Sequence, residues 1–138
     1  MNVFISYASS DRDLADTLAE TLSEFGLDAW QAEKNVLPGE NWAKKIGEAL
    51  EESDALVVLL SPDAEHTSHM RSEISFAMGN KQFKNKVIPI YRGDEEEIDK
   101  ENIPWAVEKR GISLDAYSTP EEAFEEVARS LKSEHNPA

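Results

Sequence analysis

The chain contains no cysteine, which excludes a disulfide framework, a thiolate metal site and a cysteine nucleophile. It is also poor in bases, with 14 lysines and arginines against 28 acids and a formal charge of −14. A field of that sign repels polyanions and anionic bilayers, so nucleic acid and membrane surfaces are disfavoured as partners. Long apolar runs are missing as well. The longest, Ala55 to Leu60, is far too short to span a bilayer. The opening Met1-Asn2-Val3-Phe4-Ile5 lacks both the basic start and the apolar stretch of a secretory leader, and a cytoplasmic protein is the expectation.

What is present is an ordinary hydrophobic fraction, 40% of 138 residues, enough for one domain over 1–138 with its core at about 2–133. Short apolar runs at Val3–Ser6, Leu27–Trp30, Ala55–Leu60, Val87–Tyr91 and Gly111–Leu114 read as strands. Between them lie amphipathic stretches. Leu14, Ala15, Leu18, Leu22 and Phe25 have helical spacing and are closed by Gly26. Trp42, Ala43, Ile46, Ala49 and Leu50 mark a second helix after the Pro38-Gly39 turn, and Met70, Ile74, Ala77 and Met78 mark a third. Thr119-Pro120-Glu121-Glu122 opens the last as a capping box with proline at the first helical position. Residues 92–107, acidic and broken by Pro104, read equally as a short helix or an irregular loop.

Strict alternation of five strands with helices predicts an α/β, flavodoxin-like doubly wound parallel sheet of order 2-1-3-4-5. Ligands of such sheets bind beyond the carboxyl ends of the strands, which selects Tyr7–Asp11, Gln31–Asn41, Ser61–Glu73 and Arg92–Asp94.

Several chemistries fail on these loops. Ser9, Ser10 and Asp11 precede a helix and read first as its N-cap, a phosphate site at the helix start being the weaker alternative. A phosphoacceptor domain of the response-regulator kind would need an aspartate ending strand three, where Leu60-Ser61-Pro62 stands. His66, His69 and His135 form no metal-ligand spacing, and G-x-S-x-G is absent. The more telling pair is His69 and Glu73, four apart and therefore on one helix face beside Met70, Ile74 and Ala77. A carboxylate there is ordinarily a solvated helix residue.

Several segments in order change that reading. Val3-Phe4-Ile5-Ser6-Tyr7, the run Gln31 to Glu40 with its Pro38-Gly39, Ala55–Leu60 followed by Ser61-Pro62, Arg71 to Ala77 around Glu73, and Val87-Ile88-Pro89-Ile90 together resemble the Toll/interleukin-1 receptor (TIR) domain family, in particular its bacterial NAD-hydrolysing members. The resemblance implies an NAD+ nucleosidase that releases nicotinamide and forms ADP-ribose or a cyclic isomer, in bacterial antiviral or stress defence. It implies Glu73 as the catalytic carboxylate, and Ser6, Tyr7, Ala8, Ser9, Trp42 and His69 as substrate contacts. Residues of Glu33–Trp42 would cover the substrate. NAD+ is then substrate, and neither a cofactor nor a metal is expected. Self-association through Val36, Leu37, Pro38 and Gly39 is a further implication.

Two departures from the enzymatic pattern stand out: His69 replaces a stacking tryptophan, and Ala8 replaces an arginine found in some relatives. Trp42 serves either the core or a replacement aromatic surface, while Trp30 and Trp105 read as core or interface residues. The rival reading is a non-catalytic TIR interaction module or host-signalling mimic. The net charge is unevenly spread: −10 over residues 1–65, +4 over 66–93 and −8 over 94–138. The one positive segment holds Glu73 together with Arg71, Lys81, Lys84, Lys86 and Arg92, leaving room for a small anionic ligand.

Overall fold

Side-chain parity along the strands decides the layering. In a computed structural model describing residues 1–31, 35–62, 68–98 and 103–135, Val3, Ile5 and Tyr7 point to one face of the sheet, while Phe4, Ser6 and Ala8 alternate with them. The strands are β1 (Asn2–Ser6), β2 (Asp28–Trp30), β3 (Ala55–Leu60), β4 (Val87–Tyr91) and β5 (Ile112–Ser113). The helices are α1 (Arg12–Glu24), α2 (Trp42–Glu52), α3 (Ser68–Met78), α4 (Trp105–Glu108) and α5 (Pro120–His135).

All ladders are parallel and the order is β2-β1-β3-β4-β5, the doubly wound sheet expected from the alternation of patterns. β3 is buried at every position, because it is central and covered on both faces, which is why its sequence is a continuous apolar run. One core layer joins Val3, Ile5, Val57 and Ile90 to Leu18 and Leu22 of α1 and Phe124 and Leu131 of α5. The other joins Phe4, Leu56, Val58 and Tyr91 to Ile46 and Leu50 of α2 and Met70 and Ile74 of α3.

Helix ends follow local chemistry. Gly26, at φ +80°, lets Leu27 N–H return to Leu22 O and its own N–H to Ser23 O, a Schellman stop with Leu22 and Leu27 both in the core. Asn41 caps α2 by accepting from Lys44 N–H at 3.1 Å. Thr119 Oγ1 accepts from Glu122 N–H at 3.3 Å at the start of α5.

Some expectations are corrected. β2 and β5 are shorter than their apolar runs, since each is an edge strand pairing on one side only. Met78 is exposed and off the buried stripe of α3. Across residues 92–107 the described parts hold a 3₁₀ turn at Glu95–Glu97 and the start of the short α4, which runs on to Glu108. Ser9–Asp11 form a 3₁₀ turn, and neither its N-cap nor that of α1 carries a side-chain capping bond. Trp105 lies open to solvent under Lys109, outside the core, whereas Trp30 packs against the core layer as expected and stacks on Phe4 at 4.9 Å. Among the described residues no helix is long and apolar enough to cross a membrane.

Candidate active site

Ser6 ends β1 and faces the α2/α3 layer by the parity of the strand. On α3, positions 70, 73, 74 and 77 fall on one stripe. Three are apolar and buried, so Glu73 is carried inward with them and is only 3% exposed. The solvated-helix reading of Glu73 is thereby corrected. Ser6 Oγ donates to Glu73 Oε1 across 2.6 Å. Burial pushes the Glu73 carboxyl up to about 7, and the Ser6 hydroxyl works against that rise by favouring the ionised form.

A cavity of about 400 Å³ opens over Glu73 between α2 and α3. Trp42, Ile46 and Leu50 form the α2 wall, and Ser72, Glu73 and Phe76 the α3 wall. Gly47 also lines it, and a Cβ added there would meet nothing within 4 Å. Trp42 is 43% exposed, which places it at the cavity's edge and away from the core. An apolar chamber containing a single buried carboxylate fits the stabilisation of a developing cation, whose field is weakly screened there.

The other residues singled out in the sequence are distributed around this centre. Ala8 shares the α2/α3 core layer. Tyr7 is packed in the opposite layer with Ile5 and Leu18, as strand alternation requires of a neighbour of Ser6. Ser9 is exposed in the turn. His69 belongs to the first turn of α3, but its side chain lies outside the described set, as do residues 32–34 and 63–67 of the two long loops. Among the described residues no cluster could hold a metal ion.

A second polar cluster escaped the sequence reading. Asp11 is buried, accepting from Ser61 Oγ at 2.9 Å and from Arg92 Nε at 2.8 Å. These three residues follow the carboxyl ends of β1, β3 and β4. The available signal was positional: polar residues just past three strands that the predicted order makes neighbours, at the point where that order reverses.

A family model for the TIR domain matches residues 3–131. The chain belongs to the TIR domain family. Among solved structures, the TIR domain resembles that of the Toll-related receptor TRR-2 from Hydra magnipapillata, at 22% identity and TM-score 0.70 over 94% of this chain and 97% of that one. It also resembles the TIR domains of the activated Roq1 resistosome, at 22% identity and TM-score 0.60 over 93% and 83%. A short-chain flavodoxin associated with a bacterial microcompartment aligns at 12% identity and TM-score 0.58 over 99% of each chain, a likeness of fold alone. No curated protein matches this TIR domain in sequence.

The Pro-Gly turn of this TIR domain is held from within. Glu40 Oε1 accepts from Leu37 N–H at 2.8 Å, Glu40 N–H donates to Leu37 O at 3.1 Å, and Lys45 Nζ sits 3.0 Å from Glu40 Oε2. Gly39 supplies the positive φ of +88° that the turn needs. The result presents Leu37, 64% exposed, at the tip.

Proposed function

We propose that this TIR domain cleaves NAD+ at the bond between nicotinamide and ribose, with Glu73 as its catalytic carboxylate. The observation that carries the reading is the buried Glu73, bonded to Ser6 and lining an open cavity. Glycosidases acting on an alkoxide leaving group need a second carboxyl to protonate it. Nicotinamide takes the bonding pair and leaves its pyridinium as a neutral molecule, so one carboxylate suffices. In its ionised form Glu73 stabilises the oxocarbenium charge at the ribosyl carbon and accepts from the ribose hydroxyls. Water then bonds to that carbon and loses a proton, giving ADP-ribose; attack by a nucleophile of the same molecule gives a cyclic isomer instead.

Trp42 offers its ring to the substrate from the α2 side of the cavity, in place of the aromatic that the family carries where this chain has His69. Ser6 holds the carboxylate and favours its charge. Copies of the domain associate through Val36–Gly39, for which the support is an exposed leucine on a pinned turn, together with the occurrence of the Roq1 TIR domains in an assembled resistosome. A role in bacterial defence accompanies the enzymatic reading.

The test is incubation of purified protein with NAD+, dilute and concentrated, with products resolved by mass spectrometry. Nicotinamide is expected from the parent and not from Glu73→Ala. Equal release by both, or none from the parent at either concentration, refutes the reading and leaves the interaction module.

A further inference from the structure

Of the five bases in the only positive segment of the sequence, the fold sends three away from the carboxyl edge of the sheet. Lys81, Lys84 and Lys86 lie in the connection that precedes Val87, at the amino end of β4, and Arg71 is exposed on α3. Arg92 alone directly follows the last residue of β4, where its N–H donates to Leu60 O at 2.8 Å and fixes its backbone beside β3.

Its side chain is equally constrained. Asp11 Oδ1 takes the Nε edge at 2.8 Å, while Ser61 Oγ satisfies Oδ2 at 2.9 Å. Because a neutral hydroxyl fills the second oxygen, the guanidinium is not drawn into a two-point pair with Asp11. Both terminal nitrogens are left without a partner among the described residues, and the side chain is 34% exposed. A residue serving only to neutralise Asp11 would spend its fork on that carboxylate.

We propose that Arg92 is the diphosphate anchor of the site, held in position by the Asp11–Ser61 pair and offering its outer edge to two phosphate oxygens. This rests on NAD+ as the substrate. Ser6, the partner of Glu73, and Arg92 stand at the carboxyl ends of β1 and β4, two strand spacings or about 10 Å apart, and the Arg92 side chain crosses β3 to reach Asp11; a dinucleotide spans that distance. Because Arg92 is paired with Asp11, what it offers at this edge is a fixed set of terminal N–H donors. Asp11 is on this account a positioning residue, acting through Arg92.

The test uses ADP-ribose as a probe that needs no turnover, titrated calorimetrically into the parent, Arg92→Gln, Arg92→Lys and Asp11→Asn. Arg92→Gln is expected to weaken binding about tenfold or more, and Arg92→Lys to recover only part, since an ammonium is a point charge without a fork. The preference for NAD+ over nicotinamide riboside, which lacks the diphosphate, is expected to fall by a similar factor in kcat/KM, chiefly through KM. The doubly neutral Asp11→Asn/Arg92→Gln variant repeats the measurement should Arg92→Gln alone misfold by stranding Asp11.

ADP-ribose binding within twofold of the parent in the folded variants, an undiminished preference for NAD+, or no binding to the parent overturns the anchor. Arg92-dependent binding by a parent that releases no nicotinamide would overturn the hydrolytic reading and leave the anchor standing. Hydrolysis at an unchanged KM in Arg92→Gln would do the reverse.

Discussion

Ser6 Oγ stands 2.6 Å from Glu73 Oε1, joining the last residue of β1 to the second turn of α3 across 67 positions of sequence. Both partners are buried, so the hydroxyl is the nearest substitute for the water that Glu73 has lost. Burial and hydrogen bonding act on the carboxyl in opposite directions, burial being the larger.

Removing the hydroxyl leaves burial unopposed. Ser6→Ala is expected to move the Glu73 carboxyl above its parental value of about 7. If the ionised form stabilises the cation as proposed, the rise of nicotinamide release with pH should shift to more alkaline pH in the variant. Profiles of kcat/KM for the two proteins check this, and coincident midpoints would count against it.

Glu73 also costs stability. Burial holds its carboxyl at about 7 in the folded chain against an ordinary value of 4.5, so between those values the folded state holds the proton more tightly and stability falls as pH rises. The cost is complete above the folded value, at about 3 kcal/mol. Glu73→Gln keeps an acceptor for Ser6 without the charge. It should be the more stable protein at pH 8.5, lose most of that advantage near pH 4, and be inactive. Urea unfolding at the two pH values measures the difference, and a pH-independent gap would refute the assignment.

Trp42 separates contact with substrate from packing. Exposed at the cavity edge, it should tolerate Trp42→Ala with a loss of stability below about 1 kcal/mol, while KM for NAD+ rises roughly 3- to 10-fold, the worth of an aromatic contact. Trp42→Phe should restore part of the affinity. Steady-state kinetics beside thermal unfolding distinguish the two effects.

Leu37→Ser changes an exposed turn tip and leaves the bonds of Glu40 to the backbone intact. Sedimentation velocity should show weaker self-association with unaltered thermal stability. A loss of stability matching the loss of association would assign Leu37 to the fold.

The parts of this fold that were legible in the sequence are those governed by short-range pattern. β1, β3 and β4 announce themselves as continuous apolar runs, the four long helices by buried faces that repeat near 3.6 residues, and Gly26 and Thr119 mark helix ends. Glu73 was singled out by the family resemblance, since its place beside the apolar positions 70, 74 and 77 by itself read as that of a solvated carboxylate. Local capping rules misassigned Asp11, since its partners Ser61 and Arg92 lie on other loops and meet it only once the sheet has formed. Trp42 was ambiguous because its exposure depends on how α2 lies against α3, which no pattern within α2 encodes. The separation of Tyr7 from Ser6 was readable from strand alternation, and the family pattern obscured it by treating the segment as one contact surface.

The order β2-β1-β3-β4 has a consequence for the ribosome. Ser6, Trp42 and Glu73 are all synthesised before Val87, yet until Val87–Tyr91 have emerged β3 lacks its neighbour along Leu56–Leu60 and Asp11 lacks its cation. Parallel neighbours joined by crossovers cannot pair piecemeal as hairpins do. A nascent TIR domain thus carries Glu73 and both walls of its cavity ahead of the strand that completes the central ladder.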